Sequence, residues 1–246
     1  TGVNVTATAI EAIFNSSVDQ VKALLLVEGS SGDKINLDGD FTVTVNDTGT
    51  VDSADLNTIN GVTTGLVTAT GVDTINGTAS AITTLIGNEG TSGDKVALDT
   101  DFAMTVSSGT ATVDQANTMA AFNTSGAITA TISNTDIAEL DDLTTASADQ
   151  LTITVASTSA TASQLTTVAG ATGLNVTATS VTGISGSATQ LVTLVGLEGT
   201  SGDTINLKED VAITVSDTGS VAAGDLTTIN GGTTGLVTAT NASTIT

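Results

Sequence analysis

The chain has 246 residues and carries 26 acidic side chains against four lysines, which gives a formal net charge of −22. Nucleic acids and anionic membrane surfaces require clustered Lys and Arg, so this charge excludes them as expected partners and favours divalent cations. Hydrophobic residues make up 39% of the chain, too many for a solvated tail. No apolar run approaches the roughly 18 residues of a membrane span, so no membrane insertion is expected.

The first predicted element is a short strand, and its pattern recurs along the whole chain. Each copy has an apolar residue, then Thr, then Ala or Val, and such β-branched alternation is typical of strands. The nine copies begin at Val5, Val43, Val67, Met104, Ile128, Ile153, Val176, Ile213 and Val237. The third position alternates strictly between Ala and Val, which predicts that neighbouring strands pack in one stack with a period of two coils.

The second predicted element is a short helix that follows the strand. Ser, Thr or Asp usually opens it, apolar residues follow at helical spacing, and Gly or Asn closes it. The helices are predicted within 52–60, 77–87, 160–170, 186–196 and 221–231. Alone they would be too short to be stable, so they must pack on the strands.

These two elements together predict a repeat solenoid. The strand cores are spaced by either 23–25 or 37–38 residues, and the shorter spacing is similar to the coil length of leucine-rich repeats. The predicted fold is a mainly-β, right-handed, parallel β-solenoid of about nine coils with short helical turns. It forms a single continuous array over 1–246.

The longer spacings contain three copies of an acidic insert, at 28–40, 89–101 and 198–210. A fourth copy is expected between Ile128 and Ile153 but is absent, so the coil closes without it. A dispensable segment on a regular scaffold is a candidate for function.

Carboxylates among glycines and hydroxyls are the ligands that Ca²⁺ prefers, so the inserts are candidate Ca²⁺ sites. The candidate metal ligands are Glu28, Asp33, Asp38 and Asp40, then Glu89, Asp94, Asp99 and Asp101, then Glu198, Asp203 and Asp210. Lys208 stands where the other copies have Asp, which weakens the third predicted site. The alternative is an acidic turn that only keeps the surface soluble.

Two further functions have a weaker basis. Thr at the centre of every core, with T-x-T pairs on alternate coils, is similar to the ice-binding faces of some antifreeze proteins, although Thr is also an ordinary solvent-facing strand residue. A pair of carboxylates could serve a polysaccharide-cleaving enzyme, but the chain has no His or Cys and only four aromatic residues, all Phe. We therefore expect no enzyme activity.

The composition and units such as "DLTTINGGTTGLVTAT" at 225–240 resemble repeat regions of giant bacterial surface proteins, of the S-layer and RTX-adhesin type, including cyanobacterial ones. The segment "GTSGDKVAL" at 90–98 also resembles the RTX nonapeptide, although one residue is missing and the motif is not in tandem. The resemblance implies a secreted, non-catalytic protein at a bacterial cell surface, serving as a spacer, sheath, lattice, filament or Ca²⁺-dependent adhesin. Neither end has a distinct cap, so we expect either an excerpt of a longer array or end-to-end self-association.

Overall fold

The computed structural model describes residues 5–29, 34–199 and 204–246. Over these residues the protein is an α/β structure with eight helices and several separate sheets, and the strand pairings whose register is described are parallel. The chain forms two compact units: Thr1–Gly109 with Thr118–Ile128, and Thr110–Asn117 with Thr129–Thr246.

Short strands and helices alternate from the start of the chain. The first strands are β1 (Val5–Ala7), β2 (Ala12–Ser16), β3 (Ile35–Leu37), β4 (Thr42–Val45), β5 (Thr50–Asp52), β6 (Val67–Thr68), β7 (Thr74–Thr78), β8 (Val96–Ala97) and β9 (Ala103–Ser108). The helices among them are α1 (Val18–Leu26), α2 (Ser53–Asn60) and α3 (Ala79–Gly87).

The same alternation continues to the last residue. The later strands are β10 (Ile128–Thr131), β11 (Gln150–Thr152), β12 (Ser159–Thr161), β13 (Val176–Ala178), β14 (Gly183–Gly186), β15 (Ile205–Leu207), β16 (Ala212–Val215), β17 (Ser220–Val221), β18 (Val237–Thr238) and β19 (Thr244–Ile245). The later helices are α4 (Val113–Phe122), α5 (Ile137–Leu140), α6 (Ala162–Gly170), α7 (Ala188–Leu197) and α8 (Ala223–Gly231).

Two kinds of repeat alternate within the first unit. A two-strand repeat has two strands before its helix, as in β1–β2–α1 and β6–β7–α3, and a three-strand repeat has three, as in β3–β4–β5–α2. The first strand of the three-strand repeat pairs backward with β1, the third pairs forward with β7, and the middle strand pairs with both β2 and β6.

The second unit uses the same scheme. The three-strand repeat β15–β16–β17–α8 lies between the two-strand repeats β13–β14–α7 and β18–β19. Its first strand pairs backward with β13, its third pairs forward with β19, and its middle strand pairs with β14 and β18. One pairing rule therefore operates in both units.

This scheme corrects the prediction of nine successive strands in one stack. Eight of the nine predicted cores are strands, and the core at Ile153 contributes only a bridge between Thr154 and Thr177. Some successive cores do pair, as β4 with β6 and β16 with β18, but β1, β6 and β13 pair instead with the additional strands β3, β8 and β15. The alternation of Ala and Val at the third core position therefore does not reflect the pairing of each core with the next. Ala7 and Ala178 pair instead with the larger residues Leu37 and Leu207 of the additional strands.

The predicted helices are confirmed at all five places, and they supply much of the core. Their inward side chains include Leu56, Ile82 and Leu165, which are buried, and α2 and α3 both contact β7. Most begin at a side-chain cap, and α6 has a full capping box between Thr161 and Gln164. The helices that the structure describes are all too short or too polar to cross a membrane.

Candidate functional site

The first half of each acidic insert covers the edge of a strand. Glu28, Glu89 and Glu198 form parallel bridges with Ile35, Val96 and Ile205, seven positions later in each copy. In the second copy, Val96 N–H donates to Asn88 O at 3.0 Å, and Gly90 N–H donates to Val96 O at 3.2 Å. The opposite edges of these strands pair with β1, β6 and β13. The insert thus supplies a strand and also occupies the edge that the strand would otherwise leave open.

The insert is therefore more than the loop that the sequence predicts. The strands β3, β8 and β15 lie inside the ranges 28–40, 89–101 and 198–210. The sequence does not predict these strands, because they contain only two or three residues and lack the apolar-Thr core.

The second half of each insert receives a turn from the following repeat. We name these Thr-Gly turns; they comprise 63–65, 123–126 and 233–235. The carbonyl oxygen of Gly39 accepts hydrogen bonds from Thr64, from its N–H at 2.8 Å and its Oγ1 at 3.2 Å. Thr100 O accepts the same pair from Thr124, at 2.8 and 2.9 Å.

The third insert repeats this contact in the second unit. Glu209 O accepts from Thr234 N–H at 2.7 Å and from its Oγ1 at 3.1 Å. The preceding residue of the turn, Thr233, donates its hydroxyl to Val211 O at 2.6 Å. These carbonyl oxygens, which Ca²⁺ would otherwise be able to use, accept hydrogen bonds from the neighbouring repeat.

Glycine is required where these turns meet the insert. A Cβ on Gly65 would overlap the carbonyl oxygen of Phe41, and a Cβ on Gly235 would overlap that of Asp210. The close approach of two backbones explains why the sequence Thr-Thr-Gly recurs after α2 and α8.

The repeat without an insert, β11–β12–α6, shows how the chain dispenses with one copy. The stretch 150–155 pairs with β10 through Gln150–Thr152 and with the next repeat through Thr154. One stretch therefore pairs in both directions, and this repeat does so without a separate strand of the β3, β8 and β15 kind.

The turn of the following repeat still docks on this stretch. The buried hydroxyl of Thr172 accepts from Leu151 N–H at 2.8 Å and donates to Leu151 O at 2.8 Å. Gly173 N–H donates to Asp149 O at 2.7 Å. The contact with the turn is thus common to repeats with and without an insert.

The acidic side chains themselves point in large part to solvent. Asp38 and Asp99 accept hydrogen bonds from the next backbone N–H, at 2.8 and 2.7 Å, and both are exposed. Glu28, Asp40, Asp94, Asp101 and Glu198 are exposed, and Glu89 is half-buried. Over 5–29, 34–199 and 204–246, no three acidic side chains lie close enough together to hold a metal ion. Asp33 and Asp203 lie outside the described residues.

The third insert contains its own counter-ion. Lys208 Nζ lies 2.5 Å from Asp210 Oδ1, and this hydrogen bond lowers the pKa of the exposed Asp210 carboxyl below its ordinary value. The substitution of Lys for Asp in this copy therefore neutralises one of the predicted ligands.

The central Thr residues form pairs rather than one row of nine. Thr44 is beside Thr68, and Thr214 is beside Thr238. On the other side Thr68 pairs with Ala97, since the additional strand β8 lies there. The register thus interrupts the regular array on which the ice-binding interpretation rests.

Exposed hydrophobic side chains concentrate in the first and last repeats. We name Val5, Ile10, Phe14, Leu26 and Val27 the N-terminal face, and Leu236 with Ile245 the C-terminal face. They are seven of the eight large hydrophobic residues that are exposed among the described residues, and the eighth is Val62.

The same positions are buried in internal repeats. Ile245 is 51% exposed, whereas its counterparts Ile75 and Ile184 are 0% and 2% exposed. An open cavity of about 370 Å³ also lies in the last repeats of the described residues, where Leu226 and Val237 line it.

Comparison of the chain with protein-family models, with curated proteins and with solved structures finds no match.

Proposed function

We propose that the chain is a non-catalytic structural repeat protein, and that its repeats stack as a right-handed parallel solenoid. The observation that carries this proposal is the pairing scheme, because each three-strand repeat pairs with the repeat before it and the repeat after it in both units. Right-handed crossovers are the general preference for parallel strands. Repeats that contact only their neighbours can extend in one direction without a new core.

The roles of the inserts and turns favour a structural function over a catalytic one. Their backbone groups join one repeat to the next, as in the contacts of Gly39 with Thr64 and of Glu209 with Thr234. Together with the high negative charge, this supports an extended spacer, sheath, lattice or filament that is secreted to a bacterial cell surface.

The proposal is tested by the shape and the location of the protein. Small-angle X-ray scattering of the 246-residue chain should give the distance distribution of an elongated rod. Antibodies against the chain should label intact producing cells, and external protease should remove the label. A compact, near-spherical particle, or a protein found only in the cytosolic fraction, would contradict it.

We also propose that the inserts hold divalent cations such as Ca²⁺ as weakly bound counter-ions. The support is the net charge of −22 and the exposure of the carboxylates of Asp94 and Asp101. Titration calorimetry with Ca²⁺ tests this proposal on the wild type and on the single variants Asp94→Asn and Asp101→Asn. The absence of binding heat in all three proteins would contradict it.

A further inference from the structure

A turn in the first insert holds an aspartate side chain against the backbone nitrogen of the following glycine. Asp38 Oδ1 accepts a hydrogen bond from Gly39 N–H at 2.8 Å, and both residues are exposed. Among the described residues, Gly39 N–H donates to no backbone carbonyl oxygen. The carboxyl carbon of Asp38 is bonded to Oδ1, so it lies close to a nitrogen that no helix or strand holds in place. Groups held near each other in this way react faster than free ones.

We infer that Asp38 isomerises spontaneously to isoaspartate through this contact, and that the reaction releases the first insert from the Thr-Gly turn at 63–65. Gly39 N attacks Asp38 Cγ, and the new N–Cγ bond closes a five-membered succinimide ring. The protonated carboxyl group loses its hydroxyl, which leaves with the amide proton as water.

Water then opens the succinimide ring at one of its two carbonyl carbons. Cleavage of the new N–Cγ bond restores aspartate. Cleavage of the bond between Gly39 N and the main-chain carbonyl carbon of Asp38 gives isoaspartate instead. One water is released and one is consumed, so the mass of the chain is unchanged and the reaction needs no oxidant, reductant or enzyme.

Glycine at position 39 makes this pair more reactive than its counterparts in the other inserts. Glycine has no side chain to block the attack, and its backbone turns freely. In the second insert Asp99 Oδ1 accepts from Thr100 N–H at 2.7 Å, so the contact is the same, but Thr is β-branched and stiff. The third insert has Lys and Glu at these positions, 208 and 209. Among the inserts, reaction is therefore expected in the first.

The chain also has three Asn-Gly pairs, which can form the same ring with loss of ammonia, but all three lie in or beside regular structure. In the first, Gly61 N–H donates to Asn57 O at 3.0 Å at the end of α2. The pairs at 76–77 and 230–231 lie within β7 and α8. Backbone that a helix or strand fixes cannot turn its nitrogen towards the side chain, so Asp38 should react before these pairs.

The reaction changes the backbone directly beside the contact with the next repeat. The Gly39 carbonyl oxygen accepts from Thr64 N–H at 2.8 Å and from Thr64 Oγ1 at 3.2 Å. In isoaspartate the main chain runs through Cβ and Cγ of residue 38, which lengthens it by one C–C bond of about 1.5 Å. The added carbon displaces the Gly39 carbonyl oxygen from Thr64, so both hydrogen bonds are lost.

The experiment ages the purified 246-residue chain for several weeks at neutral pH and physiological temperature. Methylation by protein isoaspartate methyltransferase measures isoaspartate, and mass spectrometry with electron-transfer fragmentation locates it. Isoaspartate should form at Asp38 at least about ten times faster than at Asp99. Absence of isoaspartate at Asp38, or equal rates at the two residues, overturns the isomerisation.

Two variants test the role of the glycine nitrogen. Gly39→Ala should slow isoaspartate formation at Asp38 at least about tenfold, and the fold should tolerate it because no heavy atom lies within 4 Å of its added Cβ. Asp38→Glu is the second variant, since its longer side chain requires a less favoured six-membered ring, and it should abolish the signal at this position. Gly219→Ala is the matched control, because it has the same open space but follows Thr, and it should age as the wild type does. An undiminished rate in Gly39→Ala overturns the isomerisation.

Amide hydrogen exchange tests the release of the turn. In the aged wild type, exchange of Thr64 N–H should accelerate in proportion to the isoaspartate formed. Thr124 N–H, which donates to Thr100 O at 2.8 Å in the second insert, should exchange as before. Unchanged exchange of Thr64 in isomerised protein overturns the release. None of these outcomes depends on whether the repeats form an extended rod, so they are separate from the test of the proposed function.

Discussion

The contacts between successive repeats depend on single residues of the Thr-Gly turns and of the corresponding turn at Thr172, which docks on the repeat without an insert. Thr172 has no exposed surface, and its hydroxyl bonds to both the N–H and the carbonyl oxygen of Leu151. A hydroxyl in this position takes the place of a backbone partner that a neighbouring strand would otherwise supply. Its removal leaves two buried backbone groups unpaired.

Thr172→Val should therefore destabilise the protein by about 1–3 kcal/mol, because the shape is kept while the hydrogen bonds are lost. The control is Thr234→Val, whose hydroxyl also bonds to a carbonyl oxygen but is exposed, so water replaces the contact at a cost below about 1 kcal/mol. Urea unfolding followed by circular dichroism measures both. Equal losses in the two variants would show that burial of Thr172 does not matter.

Gly235→Ala should cost about 1–3 kcal/mol, since the new methyl group has no space beside the carbonyl oxygen of Asp210 and the turn must move away from the insert. Gly219→Ala is the matched control, because no heavy atom lies within 4 Å of its added Cβ. That variant should be unchanged or more stable by up to about 1 kcal/mol. A tolerated Gly235→Ala would mean that the turn does not dock as closely as described.

At the scale of the element, α8 differs from the other helices at its start. Its N-cap is Ala222, which has extended backbone angles but makes no side-chain cap hydrogen bond, whereas α6 begins with Thr161 in a capping box. Ala222→Ser supplies the missing acceptor and should stabilise the second unit by about 0.5–2 kcal/mol, and Thr161→Ala should destabilise it by a similar amount. The midpoint of thermal unfolding should move up in the first variant and down in the second.

The elements also show how far the sequence predicts the fold. Helices such as α3 and α6 carry caps and helical spacing, so their positions follow from the residues. The strand β8 has only Val96 and Ala97, inside an acidic Gly-rich segment, and nothing local distinguishes it from a loop. Its strand geometry comes from pairing with β6 and with Glu89, which no local pattern records.

The candidate site illustrates the same limit of local patterns. Acidic side chains stand out in the sequence, so the sequence predicts Asp38 and Asp40 as metal ligands, and these stay predictions. The groups that make the contact with the next repeat are backbone carbonyls, such as those of Gly39 and Thr100, and these have no sequence signature. The recurrent Thr-Thr-Gly at 63–65 and 233–235 was the available signal for this contact.

At the scale of the whole molecule, charge is the dominant property. The net charge of −22 at pH 7 is concentrated on one folded chain, and the repulsion among its carboxylates destabilises the folded state. Added salt screens this repulsion, so the melting temperature should rise as sodium chloride increases from about 0.05 to 0.5 M. A melting temperature that is independent of salt would show that the repulsion is not significant for stability.

Calcium distinguishes general screening from binding at the inserts. At equal ionic strength, Ca²⁺ and Mg²⁺ screen charge alike, but flexible clusters of carboxylate and carbonyl oxygens accommodate Ca²⁺ better, because Mg²⁺ requires near-octahedral geometry and retains its water. If the inserts hold Ca²⁺, the melting temperature should rise more with Ca²⁺ than with Mg²⁺. The double variant Asp94→Asn with Asp101→Asn should lose part of that difference in melting temperature. The control is the double variant Asp114→Asn with Asp225→Asn, which removes the same charge outside the inserts. The control should keep the full difference between Ca²⁺ and Mg²⁺. If Ca²⁺ and Mg²⁺ raise the melting temperature of the wild type equally, the inserts do not bind Ca²⁺ selectively. The acidic side chains would then serve only to keep the surface soluble, and the inserts would contribute to the structure through their backbone contacts alone.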